Sequence, residues 1–85
     1  MTASVLVEMF SKEDCHLCDI ARAVIMEAKE KYPFEYAEKK IEPGMEEYEK
    51  YNQQIPVVMV NKKFAFKYRL TKEDLIRKLN EASAR

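Results

Sequence analysis

Two thiols, Cys15 and Cys18, stand three positions apart in the run Ser11-Lys12-Glu13-Asp14-Cys15-His16-Leu17-Cys18. Residues three apart on a helical turn are neighbours. A thiolate at the first position can attack an external disulfide, and the second thiol can reach back and release the product. Cys15 is the candidate nucleophile, because unpaired N–H groups and the positive end of the macrodipole at a helix start favour thiolate. A free thiol ionises near pH 8.5, so such help decides reactivity at neutral pH. Lys12 and a protonated His16 favour the anion, whereas Glu13 and Asp14 oppose it. Cys18, one turn further in, is the candidate resolving thiol. His16, the sole histidine, is placed to tune the redox poise of the pair. Cys15, His16 and Cys18 also form a metal-like donor set. A structural zinc site needs four ligands, and there is no second distant pair of such residues. Two inert helix-end cysteines are the remaining alternative.

The chain has 85 residues, and the expectation is one domain over residues 1–85. Hydrophobic residues form 47% and charged residues 35%, enough apolar material for a small core. Fifteen basic and 15 acidic side chains cancel, which gives no support for a nucleic-acid partner or an anionic membrane surface. No apolar stretch approaches the roughly 20 residues that span a bilayer. The start, Met1 to Glu8, lacks the pattern of a secretory leader. Two cysteines are too few for a disulfide-stapled secreted domain. The expected location is therefore cytoplasmic, the expected state monomeric, and the expected behaviour of the dithiol is to cycle.

The elements that must position the thiols follow from periodicity. Ser4 to Phe10 is a near-continuous apolar run of strand length, as in a central strand covered on both faces. Ser11 to Asp14 reads as a polar loop with Asp14 as N-cap. From Cys15 to Tyr32, Leu17, Ile20, Ala21, Val24, Ile25 and Ala28 fall at the spacing of one buried helical face, and Pro33 stops the helix. Phe34 to Ile41 reads as a second strand whose charges, Glu35, Glu38, Lys39 and Lys40, suit an exposed edge. Pro43-Gly44 breaks it, and Met45 to Tyr51 fits a short helix. Val57 to Val60 is a short strand behind Ile55-Pro56. Asn61-Lys62 marks a hairpin turn into a strand where Phe64, Phe66 and Tyr68 alternate with Ala65 and Lys67. Thr71 and Asp74 resemble a capping box before a helix with Leu75, Ile76, Leu79 and Ala82 on its apolar stripe. The order β-α-β-(α)-β-β-α predicts an α/β fold. Its four-stranded mixed sheet pairs the first two strands in parallel and the last two as a hairpin, with flanking helices.

That order, with Cys-x-x-Cys after the first strand and Ile55-Pro56 before the third, resembles the thioredoxin superfamily, and the length and the run around Cys15 are similar to glutaredoxins. The resemblance implies a three-layer glutaredoxin-type fold and thiol–disulfide oxidoreductase activity on protein or small-molecule disulfides. It implies no bound cofactor, and an external reductant, either glutathione or a thioredoxin-type system. It also implies a cis peptide at Ile55-Pro56, whose backbone faces an extended substrate, and contact between Lys12 and a substrate carboxylate. One departure stands out. Where glutathione-using members carry Gly-Gly and then a small residue with an Asp, this chain carries Phe66-Lys67 and then Tyr68-Arg69, which predicts poor use of glutathione. Two alternatives remain open: a metal- or iron–sulfur-binding relative, and an inactive interaction module sharing the fold.

Overall fold

β-branched and long apolar side chains favour a pleated strand. The structure, a computed structural model that describes residues 5–83, pairs the first such run on both sides. β1 (Leu6–Ser11) lies between β2 (Glu35–Lys40) and β3 (Val57–Val60), and β4 (Lys63–Lys67) completes the order β2-β1-β3-β4. β1 and β2 are parallel, connected through α1 (His16–Lys29). β1 with β3, and β3 with β4, are antiparallel. The helices α2 (Glu46–Tyr51) and α3 (Lys72–Ser83) precede β3 and follow β4. This is the expected mixed four-stranded sheet flanked by helices.

Side-chain alternation along β1 sorts the layers. Val7, Met9 and Ser11 are fully buried on one face. Arg22 of α1 reaches Glu38, which pairs with Met9, so α1 covers that face. Lys72 of α3 pairs with Glu27 of α1 at 2.6 Å, which joins those two helices. Phe10 points the other way and stacks on Tyr51 of α2, with ring centroids 5.3 Å apart. The sheet thus has α1 and α3 on one side and the short α2 on the other. α2 is small, so Leu6, Glu8 and Phe10 are only half-buried, and coverage of the second face is thinner than the apolar run predicts.

Several boundaries move for identifiable reasons. Ser11 belongs to β1 rather than to the loop, because Ile41 N–H donates to its carbonyl at 2.7 Å and continues the ladder. The expected start at Ser4 lies outside the described residues. Asp14 is not the N-cap. It sits in the turn after β1 with φ 54°, a left-handed conformation that Asp tolerates, and the cap falls to Cys15 in extended conformation. α1 ends at Lys29, before Tyr32 and Pro33. Its buried residues are Cys18, Ala21, Ile25 and Ala28, whereas Leu17 and Ile20 are exposed. The buried face is a narrower stripe than the apolar positions suggest, since only part of one helical face meets the sheet.

The hairpin turn falls at Asn61 and Lys62 as expected, both with positive φ, 52° and 69°. A turn with two left-handed central residues matches the twist of paired strands. Asn61 also ties the turn to β1, accepting from Leu6 N–H through Oδ1 at 2.9 Å and donating to Leu6 O at 2.8 Å. Tyr68 is not part of the β4 alternation. It follows the strand with φ 67°. Thr71 Oγ1 accepts from Asp74 N–H at 3.2 Å, which caps α3.

Candidate active site

β1 delivers the chain to the head of α1 at the sheet end where all four strands contribute. Ser11 pairs with Lys40. The β1–β3 register, which runs Val7 with Val60 to Phe10 with Val57, brings Ser11 level with Pro56 when continued one step. Tyr68 N–H donates to Pro56 O at 3.0 Å. One row across the sheet thus reads Lys40, Ser11, Pro56, Tyr68. The Ile55–Pro56 peptide bond is cis, and both residues are buried.

Cys15 and Cys18 are joined as a disulfide, with Cα atoms 5.2 Å apart. Their burial differs. Cys18 is 1% exposed within the core, while Cys15 is only partly covered. Cys15 Sγ accepts the backbone N–H of Cys18 at 3.1 Å. It therefore occupies the place that a Ser or Asp oxygen takes at a helix N-cap, satisfying one of the orphan donors there. On reduction the same donor and the same helix end face a sulfur that can carry negative charge, and an ionised acceptor roughly doubles the strength of such a bond.

An open depression of about 480 Å³ surrounds the exposed side of Cys15, lined by Lys12, Asp14, His16, Asp19, Arg22 and Lys40. Of the residues singled out from the sequence, Cys15, His16 and Lys12 meet at this depression, and Cys18 lies buried below. Ile55 and Pro56 do not line it, but reach the same sheet end through the strand register. Lys12 Nζ donates to Asn52 O, at the C-cap of α2, over 3.2 Å. That bond uses one of the three ammonium donors.

A polar cluster that no sequence motif marks lies beside the depression. Arg22 donates to both oxygens of Glu38, from Nε at 2.7 Å and Nη2 at 2.6 Å, and its Nη1 donates to Asp19 at 2.8 Å. Buried Ser11 and the Tyr36 hydroxyl each donate to the same carboxylate at 2.8 Å. The Arg22 hydrogen bonds, with those of Ser11 and Tyr36, pull Glu38 down to about 2. Arg22 in turn is raised above its ordinary value, chiefly by Glu38. Burial, then Glu38, pushes Tyr36 up. Glu38 lies exposed on the edge strand β2, as its charge predicts, yet it also anchors this cluster. The available signal was period two from buried Phe34 through Tyr36, which places Glu38 on their face of the sheet.

Residues 6–80 match the family model described as Glutaredoxin-like domain (DUF836). The chain belongs to the glutaredoxin-like family. This glutaredoxin-like chain is similar in structure to Ne2328 from Nitrosomonas europaea, with a TM-score of 0.78 at 22% identity, covering 93% of this chain and 95% of that one. It is similar to XcR50 from X. campestris, with a TM-score of 0.76 at 20% identity, covering 89% and 97%. A malaria-parasite thioredoxin-2, described as a component of that parasite's protein secretion machinery, gives a TM-score of 0.67 at 17% identity, covering 95% and 85%. These likenesses show the thioredoxin-like fold. No curated protein matches the chain. Among the described residues of the glutaredoxin-like chain, no group of three or more His, Cys, Asp and Glu side chains could hold a metal ion. No described helix is long and apolar enough to cross a membrane.

Proposed function

We propose that the protein is a thiol–disulfide oxidoreductase that reduces disulfides of proteins or small molecules through Cys15 and Cys18. The observation that carries this reading is the N-cap sulfur. Cys15 Sγ is partly open to solvent, receives the Cys18 N–H at 3.1 Å, and lies in bonding reach of a second sulfur that is itself buried.

The cycle balances in two exchanges. The Cys15 thiolate attacks one sulfur of the substrate disulfide. A mixed disulfide forms, and the other substrate sulfur leaves as a thiolate and takes a proton. Cys18, once deprotonated, attacks Cys15 Sγ and expels the second substrate thiolate. Two electrons pass from the dithiol to the substrate, leaving the Cys15–Cys18 disulfide. An external thiol reductant, glutathione or a thioredoxin-type system, restores the dithiol in a reducing cytoplasm. The chemistry requires no bound cofactor and one copy of the chain.

The remaining residues take supporting parts. Lys12 keeps two ammonium donors beyond the one given to Asn52 O, and these suit a substrate carboxylate. His16, exposed beside Cys15, tunes the charge around the sulfur. Ile55, before the cis peptide, offers its main-chain N–H and C=O to an extended substrate, in the manner of an added strand.

The test is capture with Cys18→Ser. After exposure to disulfide-stressed extract or to a model peptide disulfide, this variant accumulates mixed disulfides on Cys15, resolved by added dithiol and absent from Cys15→Ser/Cys18→Ser. Failure of Cys15 to retain any partner under that load rejects the reading.

A further inference from the structure

We propose that the turn Lys67-Tyr68-Arg69 is a recognition rim for acidic residues flanking the substrate cysteine. The inference rests on the oxidoreductase reading above and adds a charge preference to it. Tyr68 follows β4 with φ 67°. A non-glycine residue is held in that region only when its surroundings over-determine it. Here its N–H is pinned to Pro56 O at 3.0 Å and Gln54 O at 3.3 Å, and Arg69 N–H closes back onto Lys67 O at 2.7 Å. The turn is thereby locked against the segment that sits level with Ser11. Tyr68 remains 46% exposed, with Lys67 Nζ 5.5 Å from its ring centroid.

The charges of this rim are not cancelled locally. Among the described residues, neither Lys67 nor Arg69 has a carboxylate partner. The carboxylates near Cys15 lie toward β2, where Glu13 pairs with Lys40 and Asp19 with Arg22, and Asp14 lines the same depression. The Lys67–Arg69 turn closes the opposite end of the row. Neighbouring strands are about 4.8 Å apart, and an extended chain advances about 3.3 Å per residue. A peptide crossing from the Ser11 side of the row, where Cys15 follows, to Tyr68 spans two strand spacings and so meets the two cations about three residues from its cysteine. The occupant that fits is an extended peptide with Asp or Glu at those positions, its apolar or backbone surface resting on the Tyr68 ring.

The experiment uses the pre-reduced full chain in single turnover, with three short peptides carrying a cysteine in a chromogenic aryl disulfide. Their flanking residues are Glu, Gln or Lys. Aryl thiol release reads the rate, and the protein's own dithiol supplies both electrons. At low salt the Glu peptide reacts roughly fivefold faster than the Lys peptide, as expected for exposed ion pairs. The Gln peptide falls between them. The preference drops below about twofold at high salt or in Lys67→Gln/Arg69→Gln. Charge reversal in Lys67→Glu/Arg69→Glu inverts it. Equal rates for the three peptides, or a preference that survives neutralisation of the turn, overturns the inference while leaving the oxidoreductase reading intact. Failure to reduce any peptide overturns both.

Discussion

The backbone N–H of Cys18 donates to Cys15 Sγ across 3.1 Å, so the buried cysteine of the pair presents its peptide group to the exposed one. The contact exists because Cys15 itself is the N-cap of α1. In the reduced protein it favours negative charge on Cys15. Cys18, 1% exposed, has no comparable access to solvent. Iodoacetamide at pH 7 is expected to label Cys15 roughly tenfold or more faster than Cys18, read by mass spectrometry of quenched samples. Equal labelling, or faster labelling of Cys18, contradicts the assignment of attacking and resolving sulfurs.

The Arg22–Glu38 pair joins α1 to the edge strand β2, and its pH dependence follows from the depressed carboxyl. Glu38 ionises near 4.5 when unfolded and at about 2 in the fold, held down chiefly by Arg22. The stabilisation is therefore fully present above pH 4.5 and is lost as pH falls toward 2. Partial exposure discounts the contribution to about 1–2 kcal/mol. Urea unfolding of Glu38→Gln should show that loss at pH 7. The gap from the parent protein should close between pH 5 and pH 2. A gap independent of pH means that packing, not charge, holds the cluster.

The hairpin turn holds a lysine where the backbone asks for glycine. Lys62 has φ 69° and its side chain is largely in solvent, with only a 3.6 Å contact to Glu8. Lys62→Gly removes the left-handed penalty and creates the Asn-Gly pair that such turns favour. The expected gain is about 0.5–1 kcal/mol, after subtracting the weak ion pair and the greater freedom of glycine in the unfolded chain. A higher urea midpoint with unchanged slope checks it.

Two isoleucines on α1 separate a packed position from a merely apolar one. Ile25 is fully buried, while Ile20 is 45% exposed. Ile25→Ala is expected to cost about 2–5 kcal/mol through lost burial and the cavity left behind. Ile20→Ala should stay within about 1 kcal/mol. Similar losses at both sites in thermal or urea unfolding would place the helix in a different rotation against the sheet.

Much of the molecule was legible from local patterns. The Cys15–Cys18 spacing, the apolar run of β1, the Asn61-Lys62 turn and the Thr71 cap each depend on residues within a few positions of one another, so element order and sheet class followed from them. The candidate dithiol was legible for the same reason. The sequence points to Asp14 as N-cap because it has the better capping side chain. The turn out of β1 nevertheless forces Asp14 into φ 54°, and the cap passes to the sulfur.

What the tertiary structure alone decided is how distant segments line up. The pairing of Met9 with Glu38 brings an edge-strand carboxylate under Arg22 and onto buried Ser11, residues 27 positions apart in the chain for the latter contact. The β3 and β4 registers bring Pro56 beside Ser11 and Tyr68 beside Pro56. Composition and periodicity report which side chains tend to be covered. They do not report which strand positions stand opposite each other, because register is set by the whole sheet with its turns and covering helices acting together.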